Sequence, residues 1–207
     1  MKKAVIFSIS LLVFVKFNQA QTAFGATVGA SLASYKVKSG DVSVASHVKP
    51  GFSIGLSSFI VLNKNFSFQP SLNFVQKGGI LKDASESTTH KSTFNYLELP
   101  LNFIYNTHSA AGKFFIGAGP SFDIGLSGRY KITGMYEESG SVHFGNSEDD
   151  DLKRIGVGLN LLAGYEFKSG VLISGNYNFS LNNLSNDSDA SLRNRYFGIR
   201  LGYLFVR

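Results

Sequence analysis

Apolar and polar residues alternate with a period of two along most of the chain beyond residue 21. In the clearest stretch the two rows are Phe66, Phe68, Leu72 and Phe74 on one side and Ser67, Gln69, Ser71 and Asn73 on the other. The same alternation recurs within 113–127, 153–167, 170–183 and 194–206. Because successive side chains of a β-strand point to opposite faces, this period predicts β-strands rather than amphipathic helices.

The pattern predicts about eight strands, each long enough for the 9–11 residues that a membrane-spanning strand needs. The predicted strands are 22–37, 50–61, 65–77, 93–106, 113–127, 153–167, 170–183 and 194–206. The connections alternate between short ones, 62–64, 107–112 and 168–169, and long polar ones, 78–92, 128–152 and 184–193. Outer-membrane barrels have this asymmetry, with short periplasmic turns and long extracellular loops. We therefore expect an all-β fold, a closed antiparallel up-and-down transmembrane barrel with both chain ends in the periplasm.

The composition of the polar rows indicates which face of the sheet points outward. These rows consist largely of Gly, Ser and Asn, whereas the surface of a sheet in water usually carries Lys, Glu and Thr. The interior of an eight-stranded barrel is barely wide enough for its own side chains, so small residues fit there. We therefore expect the apolar rows to face lipid. The alternative is a soluble periplasmic barrel of lipocalin type, which binds a small molecule against an apolar interior.

The bulk composition agrees with a membrane location. Only 16% of the residues are charged and 14% are aromatic. No apolar run beyond the first residues reaches the ~18 residues of a membrane-spanning helix, so a span must be built from strands. The chain has no cysteine, which excludes disulfides and thiolate chemistry.

The first twenty residues predict an export signal, with Lys2 and Lys3 followed by an apolar stretch, 4–15, and a polar segment that ends at Ala20. We expect cleavage before Gln21, which leaves one barrel domain, 21–207, directed to the outer membrane. Removal of the three lysines of this segment lowers the formal net charge from +6 to +3. That charge is too small to indicate nucleic-acid binding.

Four segments carry a resemblance to a known family. They are Tyr96-Leu97-Glu98-Leu99-Pro100-Leu101, Gly117-Ala118-Gly119-Pro120-Ser121, 156–164 and Asn176-Tyr177-Asn178-Phe179-Ser180-Leu181. In these glycine- and aromatic-rich strands the mature chain resembles the PorT-like outer-membrane β-barrel proteins of Gram-negative bacteria. The resemblance implies an outer-membrane protein, and one better-known relative serves in protein secretion.

Four charged residues are predicted to point into the interior of the barrel, the lumen: Glu98, Asp123, Glu166 and Arg200. Because buried charges need partners, we expect Glu98 and Arg200, both near mid-strand, to form a charge-assisted pair. Structural filling of the lumen is favoured over a proton or ion path, since an eight-stranded barrel leaves little internal space.

The segment from Arg129 to Lys153 is rich in carboxylates, with Glu137, Glu138, Glu148, Asp149, Asp150 and Asp151. Such a cluster could bind calcium, but its spacing matches no EF-hand, and a solvated acidic loop is the favoured interpretation. The histidines show no metal-ligand spacing: His47, His90, His108 and His143. We expect no cofactor, no metal ion and no catalytic residue. A lipid-modifying outer-membrane hydrolase is the weaker enzymatic alternative.

The sequence therefore favours a monomeric structural or interaction barrel that contacts outer-membrane lipid. Loops on a rigid scaffold commonly carry binding, so 78–92 and 128–152 are the predicted sites of protein partners. A component of larger machinery for secretion or surface assembly stays open as the second class.

Overall fold

The computed structural model describes residues 22–83, 87–108, 112–134, 136–147 and 149–206. The predicted signal segment 1–20 lies outside these residues. The described part contains twelve strands: β1 Thr22–Ser39, β2 Val42–Ala45, β3 Lys49–Val61, β4 Phe66–Asp83, β5 Thr88–His108, β6 Gly112–Thr133, β7 Glu138–Val142, β8 Phe144–Gly145, β9 Leu152–Lys153, β10 Ile155–Phe167, β11 Val171–Ser180 and β12 Ala190–Val206. No helix in these ranges is long and apolar enough to cross a membrane.

Eight of these strands form a closed antiparallel ring. Each long strand pairs with the next one along the chain, in the order β1, β3, β4, β5, β6, β10, β11 and β12, and β12 pairs back onto β1. The closing pair runs in one register from Gly25↔Leu204 to Ser39↔Ala190. The structure confirms the predicted up-and-down barrel and its number of strands.

The apolar rows face outward and the polar rows face the lumen. The outward Phe103 and Phe114 are 60% and 62% exposed, whereas the inward Asn73 and Glu98 are 1% and 0% exposed. This arrangement is the reverse of a lipocalin, whose apolar residues line the inside. Since a large exposed surface of aromatic and aliphatic side chains is typical of a membrane or protein interface, and here it surrounds a closed barrel, the orientation fits a transmembrane barrel.

The predicted loops 78–92 and 128–152 are wrong in part, because the structure has strands within both ranges. β4 continues to Asp83 and β5 begins at Thr88, so 78–92 is mostly a paired hairpin. β6 continues to Thr133 and carries β7 on its free edge, while β8 and β9 lie further along 128–152. Residues 190–193 of the third predicted loop also belong to a strand, β12. Outside the lipid, backbone hydrogen bonds are enough to extend the strands. These extensions lack the apolar alternation of a membrane segment, so the sequence pattern did not predict them.

Candidate functional site

A buried cluster of three charges lies at the centre of the lumen. Lys77 on β4 places its Nζ 2.7 Å from Oδ2 of Asp123 on β6 and 3.1 Å from Oε2 of Glu98 on β5. All three side chains are almost completely excluded from solvent. The same ammonium lies 5.2 Å from the ring centre of Tyr96 and 5.0 Å from that of Tyr196. The lysine therefore joins three neighbouring strands and packs between two aromatic rings.

The predicted contact between Glu98 and Arg200 runs partly through a tyrosine. Nη2 of Arg200 lies 3.8 Å from Oε1 of Glu98 and donates a 2.9 Å hydrogen bond to Oη of Tyr196. The Tyr196 hydroxyl donates to the same Oε1 at 2.8 Å, and Asn176 donates to that hydroxyl at 3.1 Å. The shorter ionic contact of Glu98 is therefore with Lys77, and Arg200 lies at the edge of the cluster.

Sequence reasoning did not include Lys77 among the lumen charges, although a signal for it existed. Counting by two from Ser67 through Gln69, Ser71 and Asn73 arrives at Lys77 on the same face. The residue is the last of the predicted strand 65–77 and adjoins the supposed loop. Because β4 continues for six more residues, Lys77 is an interior position of the strand rather than its end.

Glu166 lies away from the central cluster, at the end of the barrel where the short connections are. Its Oε1 is 3.7 Å from Nζ of Lys113, and both residues line an open vestibule of about 300 Å³ with Ser67 and Asn106. The Glu166 side chain is mostly buried and that of Lys113 is half-exposed. Glu166 therefore belongs to the rim of the lumen, whereas Glu98, Asp123 and Arg200 meet in its middle.

Amide side chains fill the lumen between the vestibule and the charge cluster. Asn176 donates to Asn160 at 3.1 Å, and Asn160 donates to Asn102 at 3.0 Å. The cavity beside these residues measures about 20 Å³, which is space for about one water molecule. Such a lumen can hold fixed charges, but it leaves no continuous channel for a solute at this level.

An aromatic cap covers the opposite mouth of the barrel. Phe144 and Leu152, from the segment between β6 and β10, are buried against Tyr35, Phe94 and Tyr96. The Phe144 ring meets those of Phe94 and Tyr96 edge-on, at centroid distances of 6.2 and 5.4 Å. A Cβ atom on Gly125 would overlap the Phe144 ring, so glycine makes room for the cap at this position.

Polar contacts hold the cap segment in place. Arg154 donates two hydrogen bonds to the carbonyl oxygen of Phe144, at 3.1 and 2.7 Å. Asn186 donates to the carbonyl oxygens of Gly145 and Asp150, at 3.3 and 2.9 Å, and ties the segment to the connection before β12. The two connections therefore form one joined surface.

The acidic residues of this segment mostly bind backbone and side-chain donors of the protein itself. Asp150 accepts the backbone N–H of Ser147, and Asp151 accepts that of His143. Glu138 accepts the hydroxyl of Tyr130 at 2.8 Å, which raises the pKa of this exposed tyrosine. Within the part of the chain that the structure describes, no three acidic or histidine residues are placed to hold a metal ion. Glu148 lies outside that part.

A model of the outer membrane protein beta-barrel domain matches residues 17–186. The chain belongs to this family. No curated protein matches the chain. Membership in the family, together with the outward apolar surface, makes this protein a small outer-membrane β-barrel in contact with membrane lipid.

Solved barrels similar to this family member come from several bacteria. Neisserial surface protein A (NspA) is 14% identical with a TM-score of 0.46, over 88% of this chain and 97% of its own. Ail, the attachment invasion locus protein of Yersinia pestis, is 14% identical with a TM-score of 0.41, over 88% and 99%. The N-terminal β-barrel domain of Pseudomonas aeruginosa OprF is 10% identical with a TM-score of 0.39, over 90% and 100%.

Proposed function

We propose that this barrel is a monomeric, non-enzymatic surface protein that binds a partner through the joined cap surface formed by residues 143–147, 149–154 and 181–189. This proposal rests on the observation that the lumen is closed. Transport through the barrel would have to pass the Lys77 cluster, the asparagine chain and the Phe144 cap. Since solute-sized channels need many more strands than eight, we assign binding to the cap surface rather than transport to the lumen.

The proposal places the cap outside the cell. At the opposite end, the ends of neighbouring strands are only a few residues apart: four between β3 and β4, three between β5 and β6, and three between β10 and β11. At the cap end, 21 residues separate β6 from β10, nine separate β11 from β12 and nine separate β1 from β3, while only β4 and β5 are joined by as few as four. Short connections on the periplasmic side and longer ones outside are the usual arrangement in outer-membrane barrels.

The cap surface has the rigidity that a binding surface needs. Asn183 accepts the backbone N–H groups of Ser185 and Leu192, both at 2.9 Å. The N–H of Lys153 donates to the carbonyl oxygen of Leu184 at 2.8 Å, and Leu184 is completely buried. Connections that are fixed to the scaffold in this way lose less conformational entropy when a partner binds.

Two observations support a non-enzymatic role. In the ranges that the structure describes, no serine hydroxyl is hydrogen-bonded to a histidine ring, as a hydrolase of the serine type would require. The carboxylates of Glu98 and Asp123 contact Lys77 and are buried, at 0% and 2% exposure, so they are out of reach of a substrate in solution.

Membership among the PorT-like proteins, with a part in secretion or surface assembly, stays a prediction of the sequence resemblance. Such a part would require stoichiometric partners in the envelope. Copurification in mild detergent tests it, because a solitary barrel would recover none.

Site-specific crosslinking tests the proposed surface function. The chain has no cysteine, so a photo-crosslinker can be attached at Ser188→Cys on the cap or at Asn63→Cys between β3 and β4. We expect a discrete crosslinked partner from the first position only. A partner at Asn63→Cys alone, or at neither position, would reject the cap as the binding surface. Ionic conductance of the reconstituted barrel in a planar bilayer would reject the closed lumen.

A further inference from the structure

Three cations line a polar cleft on the outward face of the extension formed by β5, β6 and β7. Lys91, Arg129 and Lys131 surround a volume of about 570 Å³, with the hydroxyl groups of Thr93, Ser139 and Ser141 beside them. The strand registers place these residues on one face, since Lys91 lies opposite Lys131, Thr93 opposite Arg129, and Lys131 opposite Ser139.

The charges of the cleft are not balanced within it. Lys91 and Lys131 are a directly opposed cross-strand pair, whose Cβ atoms are about 4.5–5.5 Å apart in such a ladder, and like charges in this position repel each other. In the described ranges, Glu137 is the one carboxylate within 4.0 Å of the three cations, at 3.8 Å from Lys131, and both side chains are largely exposed. An exposed pair of this kind is weak, so the cleft keeps an excess of positive charge.

The cleft lies directly above the lipid-facing surface. Along β5 the outward row changes from Leu101, Leu99 and Leu97 to Asn95, Thr93 and Lys91. Successive outward residues are about 6.6–7 Å apart along a strand, which is about 5 Å along the membrane normal at the usual barrel tilt. Thr93 and Lys91 are therefore about 10 and 15 Å above Leu97, on the polar side of the apolar band.

We propose that this cleft binds a phosphate group of an outer-leaflet glycolipid. Lysine and arginine with neighbouring hydroxyl donors form the set that recognises phosphate oxygens, and a bound dianion would offset the repulsion between Lys91 and Lys131. The position above the apolar band favours a membrane-anchored phosphate over a soluble one. The outer-leaflet assignment rests on the orientation proposed above, whereas phosphate binding by the cleft does not.

Native mass spectrometry of the full chain in uncharged detergent tests the site, with diphosphoryl lipid A, phosphatidylcholine and inorganic pyrophosphate as probes. We expect preferential retention of lipid A. In the triple variant K91Q/R129Q/K131Q the affinity for lipid A falls by about a hundredfold or more, because each direct charge-assisted hydrogen bond to a phosphate oxygen is worth about tenfold in affinity. The charge-preserving variant K91R/K131R keeps most of the binding, and every variant must still show a heat-modifiable band.

A second cationic group provides the matched control. Lys36 lies opposite Arg193, and Arg195 lies opposite Ser34, on the outward face of β1 and β12 just above Leu32 and Phe197. The variant K36Q/R193Q/R195Q removes the same charge at a similar height, and we expect at most a few-fold loss of lipid A. Equal losses in both triple variants would show that lipid A is attracted by surface cations in general, and would reject the cleft as a specific phosphate site. Pyrophosphate bound as tightly as lipid A would overturn the lipid assignment. Neither result bears on the partner of the cap.

Discussion

The ammonium group of Lys77 on β4 lies 2.7 Å from the carboxylate of Asp123, which is two strands further along the barrel, on β6. Both groups are buried, and the same ammonium also contacts Glu98 on the strand between them. The ammonium group of Lys77 therefore contacts two carboxylates, and all three groups are excluded from water. This relationship makes Lys77 the residue on which the largest stability effect is expected.

We expect Lys77→Met to destabilise the barrel by about 3–5 kcal/mol, because Asp123 would remain buried without a cation and Glu98 would keep only its longer contact with Arg200. The midpoint of urea unfolding, followed by the mobility shift of the folded barrel on unboiled gels, measures the loss. The control Lys64→Met changes an exposed residue between β3 and β4 and should leave the midpoint unchanged. A variant with Glu98→Gln and Asp123→Asn added should recover part of the loss, since it removes the unpaired charges. An unchanged midpoint in Lys77→Met would contradict this account of the cluster.

A double-mutant cycle separates the two cations that contact Glu98. Glu98→Gln combined with Lys77→Met should show a larger coupling energy than Glu98→Gln combined with Arg200→Gln, because the distances are 3.1 and 3.8 Å. Each cycle is measured by equilibrium unfolding in lipid vesicles. Strictly additive losses for Glu98 and Arg200 would show that the two side chains are not coupled.

Phe144→Ala should release the cap without unfolding the barrel. The ring packs on Phe94 and Tyr96, so its loss removes the main apolar contact of the segment, while the pairing of the eight barrel strands is untouched. We expect faster proteolysis within 143–154 on intact cells and an unchanged heat-modifiable band. Phe197→Ala, which removes an outward-facing ring, is the control. Equal cleavage of Phe144→Ala and the unsubstituted chain would mean that Phe144 does not hold the cap closed.

The orientation predicts which single cysteines are reachable from outside the cell. A membrane-impermeant maleimide should label Ser188→Cys on intact cells and should label Asn63→Cys only after the outer membrane is permeabilised. Both positions are exposed in connections and the native chain has no cysteine, so the background is low. The reverse pattern of labelling would place the cap in the periplasm.

The sequence by itself determined the architecture of this protein. Alternation with a period of two indicates the two faces of each strand. The Gly, Ser and Asn residues of the polar rows indicate that the lumen is narrow. Both signals are local, since each residue reports only the environment of its own side chain. They sufficed for the number of strands, the direction of the apolar face and the inward position of Glu98.

The tertiary structure decided which lumen side chains meet. Glu98 and Tyr196 are 98 positions apart in sequence and become hydrogen-bonded only because the ring closes between β1 and β12 in one particular register. The partner of Glu98 depends on that register and on the narrow radius of the barrel. The apolar–polar alternation of a single strand predicts neither. The same holds for Phe144, whose burial in the mouth depends on strands that extend beyond the lipid and on the space left at Gly125.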